Sequence, residues 1–360
     1  MIEAPLFAAN NHSAFEIAFR PAEATLRQVL SAALKERYPI QSVDAESIVQ
    51  VNEAEQASNN FRVEAVGEDG QPRVLLIRKN ILLAGEDDVL FSVKTLSFLR
   101  ERGLSVPQLI TTRSGSFFAE FEGSRWQVFD FIEGNHYAGQ AAELVAAAQG
   151  FATLHRTLAD FPYREELQRR RAAFQPFTLD GLEKVLAAAA RNQDELDATL
   201  LGYAPELRAF TVRSEQFRVS GARKQVVHGD LHPHNTIFAD GQLRAILDFD
   251  LLQYGELLRD VGFAAHRFSR QHAVCVGGGA EQAAVGFQRF LKAYREEYPL
   301  SDDEVRSLPF FMLDELLRRI VTDFSRYYFE GIARFANIRE LDKKVTLLRE
   351  ADYLSSYVTA

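Results

Sequence analysis

Apolar residues recur with two different periods along this chain. From Glu23 to Arg37, Leu26, Val29, Leu30, Ala33 and Leu34 share one stripe of a 3.6-residue repeat, which predicts a helix. Alternating runs come next. Ser47–Asn52, Asn60–Val66 and Val74–Arg78 predict strands, the last pair parted by the turn signal Gly-Glu-Asp-Gly-Gln-Pro. A second helix, from Asp87 to Arg102, rests on Val89, Val93, Leu96 and Leu99 and stops at Gly103, with Pro107 beyond. The segments SFFAEFE and RWQVFDFI then predict two more strands before Gly134. Three strands, a helix and two strands make a small, mostly antiparallel sheet with one helix packed on it.

From Ala141 the period turns helical. Leu144, Ala148, Phe151, Leu154 and Leu158 form one stripe, and a polar, Arg-rich helical region runs on to Ser220. Later segments, Glu281–Tyr298 and Asp302–Phe335, return to helix, the second introduced by the capping-box pattern Ser-Asp-Asp-Glu at Ser301–Glu304. The order predicts an α+β chain, with a small antiparallel sheet lobe over residues 1–133 and a larger, mostly helical lobe over residues 134–360.

Composition narrows the partners. The net charge of -9 argues against nucleic acid, which is held by clustered Lys and Arg. The one dense basic run, Arg169–Arg171, reads as a solvated helix face. With Cys275 as its single cysteine the chain forms no internal disulfide and no cysteine-rich zinc site. No basic-apolar leader and no spanning stretch stands out, so a cytoplasmic protein without membrane attachment is expected.

Chemistry concentrates in Val226–Asp250, VVHGDLHPHNTIFADGQLRAILDFD. Thr236–Ala239 and Leu243–Leu247 are apolar runs joined by Asp240-Gly241, a strong hairpin signal. Asp230 and Asn235 precede that hairpin, and Asp248 and Asp250 end it. Crowded carboxylates take up protons unless a cation sits among them, and carboxylate with carboxamide oxygen suits Mg²⁺ on a nucleotide phosphate. His228-Gly229-Asp230, His232 and Asn235, followed by Asp248-Phe249-Asp250, resemble the H-G-D-x-H-x-x-N and D-F-D/E signatures of the aminoglycoside phosphotransferase and choline kinase group of small-molecule kinases.

That resemblance implies a protein-kinase-like two-lobe fold and transfer of the γ-phosphate of ATP or GTP, with Mg²⁺, to a hydroxyl of a small molecule. Asp230 would orient and deprotonate the acceptor, and Asn235 and Asp248 would hold the metal, with Asp250 assisting. His228, His232 and Asp260 would brace the loop. Adenine would lie against the hinge at Phe129, Asp130 and Phe131. Ser58, Asn59 and Asn60 would face the phosphates, in a loop that here lacks glycine. One of Arg78 and Lys79 would replace the usual strand lysine, Arg78 being favoured, while the usual helix glutamate falls at Ser92, with Glu86 and Asp87 as substitutes. Phe287–Phe335 is similar to homoserine kinase type II and hydroxylysine kinase-like members.

Other readings compete. The His232/His234 pair would suit a metal-dependent hydrolase, and the Ser92 departure would suit a catalytically weak nucleotide-binding module. Should the acceptor be cationic, Asp314, Glu315 and Asp323 offer acidic groups, interleaved with Arg318 and Arg319. His155 and the Tyr327–Phe329 aromatics read as core.

Overall fold

The computed structural model describes residues 6–7, 17–52, 60–80, 86–170, 177–192, 194–219, 221–333 and 336–358. Ser58 and Asn59, expected to face phosphate, lie outside the described residues. In chain order the elements begin with β1 (Ala18–Pro21), α1 (Ala24–Arg37), β2 (Ile40–Asn52), β3 (Asn60–Gly67), β4 (Pro72–Asn80) and α2 (Glu86–Glu101). Next come β5 (Leu109–Ile110), β6 (Ala119–Phe121), β7 (Ser124–Asp130), α3 (Ala141–Ala159), α4 (Arg164–Arg170), α5 (Leu179–Asn192) and α6 (Glu195–Glu215). The remainder is β8 (Lys224–Val227), β9 (Thr236–Ala239), β10 (Gln242–Ile246), β11 (Gln253–Glu256), α7 (Leu257–Val276), α8 (Gly279–Glu297), α9 (Asp302–Ser325) and α10 (Ile338–Ser355).

These elements form two compact units. A sheet unit takes Ser13–Ala138 and His234–Asp250, and a helical unit takes Gly139–Pro233 and Leu251–Ala360 with Met1–His12.

In the sheet unit the strands run antiparallel in the order β1-β2-β3-β4-β7-β5, with β6 also on β7. Alternation explains the packing: Phe61, Val63 and Ala65 of β3 point to the same buried face, against which α1 lays Leu30 and Leu34. Buried Tyr38 follows α1, and its hydroxyl donates to the Trp126 carbonyl at 3.1 Å, which ties helix to sheet. The β9–β10 hairpin turns on Asp240 and Gly241, whose φ of 54° and 71° are the left-handed pair that a tight two-residue turn demands. It is fastened by reciprocal backbone bonds between Asn135 and Phe238, 2.9 and 2.7 Å, and by Ile246 N–H to the Ser105 carbonyl at 3.1 Å.

The helical unit is organised around α7, most of whose side chains are buried. Phe268 of α7 meets Phe151 of α3 at 5.4 Å and Phe290 of α8 at 6.1 Å between ring centroids. The expected helix from Asp302 to Phe335 is shorter than its periodicity suggests. It gives way after Ser325 to a π turn, Arg326–Glu330, closed by Gly331 at φ 71°. There the Tyr328 hydroxyl donates to Asp197 of α6, a tertiary bond that no local pattern reports. Phe329, expected in the core, is 62% exposed, because the π turn swings it off the apolar stripe. His155 is fully buried, as expected of a core histidine, with both ring nitrogens engaged.

Candidate active site

Within the sheet unit, Asn235 is buried just before β9, and its carbonyl accepts the Leu247 N–H at 2.9 Å. The hairpin thus returns residue 248 to the side of residue 235. Asp248 has φ 61°, a left-handed backbone rare outside glycine, and its side chain is 45% exposed. Such strain collects at functional sites. Arg78 of β4 reaches Asp250 at 3.0 Å and stands 3.9 Å from Asp248. Strand alternation sends Lys79 to the other face, where its ammonium lies 5.8 Å from the Trp126 ring centre. Among the described residues, Asp248 and Asp250 are the ion-pair partners of Arg78. Ser92 is part-buried in α2, and Glu86 and Asp87 at its start are exposed.

Phe129 is buried on β7, and Asn60 stands opposite Arg78 in the β3–β4 register. The Asp130 and Phe131 amides donate to the carbonyls of Gln108 and Val74, each at 2.9 Å. Both are spent within the sheet unit, so they are not donors held ready for a base.

Within the helical unit, the loop after β8 is built on Asp260 of α7. Its carboxylate accepts the N–H groups of His228 at 2.7 Å and Gly229 at 2.9 Å, and it meets His155 Nε2 at 3.3 Å. Gly229 has φ 85°, and a Cβ there would collide with the Leu251 carbonyl. Only glycine fits. Gly229→Ala is therefore expected to destabilise the fold by about 1–3 kcal/mol and to lower activity beyond the loss of folded protein. Urea unfolding and specific activity of the folded fraction would check it.

That loop presents Asp230. One of its oxygens meets His232 Nε2 at 3.3 Å, and the other accepts from Arg319 of α9 at 3.0 Å. Arg319 also donates to the Gly229 carbonyl at 3.2 Å and lies 4.3 Å above the Phe263 ring. Burial works against an ionised Asp230, but the hydrogen bond and charge of His232, with those of Arg319, hold its carboxyl well below the usual range. Arg319 in turn is raised: burial opposes its charge, and Glu315 and Asp230 outweigh that.

The acids weighed for a cationic acceptor are otherwise engaged. Asp314 and Glu315 are buried, Asp314 on Arg259 at 2.6 Å and Glu315 on Arg318 and Arg319 at 2.6 and 2.7 Å. Asp323 pairs with Lys344 at 2.5 Å. The role of Arg319 escaped the sequence reading because Asp230 and Arg319 are 89 residues apart. The zinc reading of His232 and His234 also loses its basis. His232 is on Asp230, and His234 stacks on His136 with ring centres 5.2 Å apart. Among the described residues, no three His, Cys, Asp or Glu side chains gather as metal ligands.

The profile of the phosphotransferase enzyme family matches residues 50–300. The chain belongs to that family. This phosphotransferase is 29% identical over 237 residues to a homoserine kinase of Xanthobacter autotrophicus, covering 66% of this chain and 68% of that one. It is 26% identical over 239 residues to a homoserine kinase of a Bradyrhizobium species, with the same coverage. Among solved structures, a spectinomycin phosphotransferase in complex with ADP and spectinomycin aligns at TM-score 0.59 and 15% identity, over 92% of this chain and 97% of that one. An aminoglycoside phosphotransferase from Alicyclobacillus acidocaldarius aligns at TM-score 0.57 and 17% identity, over 91% and 93%. These show the fold expected from the signature. This phosphotransferase is a small-molecule kinase that draws on an ATP-type nucleotide. Among the described residues no helix is long and apolar enough to cross a membrane.

Proposed function

We propose that this phosphotransferase moves the γ-phosphate of ATP, carried with Mg²⁺, to the side-chain hydroxyl of a hydroxy amino acid of the homoserine kind. The observation that carries the reading is Asp230, an ionised carboxylate with each oxygen held by a separate donor, His232 and Arg319. A base fixed in this way orients the acceptor hydroxyl and takes its proton as oxygen attacks phosphorus and the bond to the departing ADP breaks. Asp260 sets the loop by fixing two of its amides. The acceptor class follows the homoserine kinase relatives.

On the sheet unit, Asn235 and Asp248 would hold the metal. The Leu247–Asn235 bond makes them neighbours, their oxygens suit a hard ion, and Mg²⁺ needs few protein ligands because water and phosphate complete its shell. When bound, the ion neutralises phosphate charge. Asp250 holds Arg78, which stands where a phosphate-pairing cation belongs and offers a fork matched to phosphate oxygens.

A coupled nucleotide-consumption assay over amino acids, amino alcohols, sugars and aminoglycosides tests the reading. Homoserine should be among the best acceptors. Asp248→Asn should raise the Mg²⁺ concentration for half-maximal rate by about 10- to 100-fold, as expected when a charged hydrogen-bonding or ligand group is lost. Absence of turnover on the whole panel would overturn the transfer, and an unshifted Mg²⁺ response would overturn the metal assignment.

A further inference from the structure

A guanidinium carries five N–H donors in one fixed plane, so the partners of an arginine can be counted off against them. For Arg319 of α9 three are spent. Its Nε donates to Glu315 at 2.7 Å, and its Nη2 donates to Asp230 at 3.0 Å and to the Gly229 carbonyl at 3.2 Å. The plane lies over the Phe263 ring, 4.3 Å from its centre. These contacts pin the group in place. Among the described residues the remaining nitrogen, Nη1, makes no hydrogen bond, and it is not sealed from water, the side chain being 26% exposed.

Two N–H groups therefore stand open on the same guanidinium that touches Asp230. Nη1 and Nη2 share one carbon, so a molecule whose hydroxyl meets that carboxylate comes within reach of Nη1. The neighbouring cations face other partners, Arg259 on Asp314 and Arg318 on Glu315, each at 2.6 Å. Charge gives the opening a use. A hydroxy acid of the homoserine kind carries its carboxylate a few bonds from its hydroxyl, and Asp230 is itself an anion. At an effective dielectric near 20, two negative charges about 5 Å apart repel by enough to weaken binding on the order of 10²-fold. A cation in contact with both removes that penalty, and its N–H groups make short, strong bonds to carboxylate oxygen.

We infer that Nη1 of Arg319 receives the carboxylate of the acceptor, so that Arg319 is a specificity-determining residue and this phosphotransferase selects hydroxy acids over amino alcohols that lack the carboxylate. The inference rests on the reading of Asp230 as the group that meets the acceptor hydroxyl. One guanidinium then serves two ends with separate nitrogens: Nη2 aims the base, and Nη1 holds the anion that the base would otherwise repel. The other anion that reaches Asp230 is the phosphoryl group in transfer, which is common to every acceptor. Varying the acceptor tells the two apart.

The test compares homoserine with 3-amino-1-propanol, which keeps the amine and hydroxyl and lacks the carboxylate. The parent enzyme should prefer homoserine in kcat/KM, and a parent indifferent to the carboxylate overturns the inference. In Arg319→Gln the lost grip on Asp230 should lower kcat on both acceptors alike. Beyond that shared loss the preference for homoserine should fall by about 10- to 100-fold, carried by its KM, as expected when a charge-assisted pair is removed. Arg319→Lys keeps the charge beside Glu315 and Asp230 without the planar fork, so it should lose a smaller part of the preference, and it decides alone if Arg319→Gln does not fold. A fall of more than about threefold in either folded variant upholds the inference. A smaller change in both, with kcat lowered on both acceptors, leaves Arg319 as a positioning residue only and overturns it. Should the parent phosphorylate neither compound, the transfer reading falls separately. Calorimetry of homoserine binding then decides the carboxylate site by the same threshold, and binding that is equal in parent and variants, or absent from the parent, overturns it.

Discussion

Asp230→Asn should lower kcat by about 10²- to 10⁴-fold, the usual worth of a positioned base, while nucleotide affinity stays within about threefold. The substitution keeps the shape of the side chain and removes its charge. What is lost is the proton acceptor and the electrostatic grip of His232 and Arg319 that aims it. Because phosphoryl transfer has a loose transition state, the aim of the base is expected to matter more than its strength. The pH profile discriminates further. A carboxyl depressed in the folded protein stays ionised through and below its ordinary range and loses its charge only as pH falls through the depressed value. The parent enzyme should therefore show no acid limb from Asp230 between about pH 5 and 8. Single-turnover rates with nucleotide binding measured alongside would check both statements, and a variant of undiminished rate would remove Asp230 from the chemistry.

Glu315→Gln should cost the helical unit about 3–5 kcal/mol, because it strips a buried carboxylate from three guanidinium groups. Glu315 lies 2.6 Å from Arg318, 2.7 Å from Arg319 and 3.4 Å from Arg259, and is itself 2% exposed. Burial alone would raise its pKa. Arg319, Arg318 and Arg259 overcome that and bring it to about 2, against an ordinary 4.5. The sign follows from that depression: the stabilisation is present above the unfolded value and is lost as pH falls from about 4.5 towards 2, a range worth roughly 3 kcal/mol. Urea unfolding of parent and variant at neutral pH and at acid pH would measure it. The gap between them should narrow in acid, and equal stability at neutral pH would refute the claim. Since Arg319 also holds Asp230, the folded variant should lose activity as well.

How far the sequence carries can be judged residue by residue. The α1 stripe, the strand alternation of β3 and β4 and the Asp240-Gly241 turn are local, and each corresponds to an element in the structure. Arg78 and Lys79 could be told apart in principle by alternation, yet which of them faces Asp250 depends on where the hairpin lies. That placement rests on Asn135 bonding Phe238, a contact across about a hundred residues that no period encodes. The helix α10 is locally written, in the Asn337 cap and the stripe Leu341, Val345, Leu348 and Ala351, although the sequence expectation did not include it. The π turn after α9 has no such signal, being held by the bond from Tyr328 to Asp197.

The membership of His234–Asp250 in the sheet unit bears on how the protein is made. Strands β1 to β7 leave the ribosome early, but the segment that bonds to Asn135 and Ser105 follows only after α3, α4, α5 and α6 have been synthesised. The first unit to begin folding therefore cannot be the first to finish. A nascent chain halted before Asp250 would hold every strand of the large sheet yet leave Asn135 and Ser105 without the hairpin that bonds to them, while its helices accumulate.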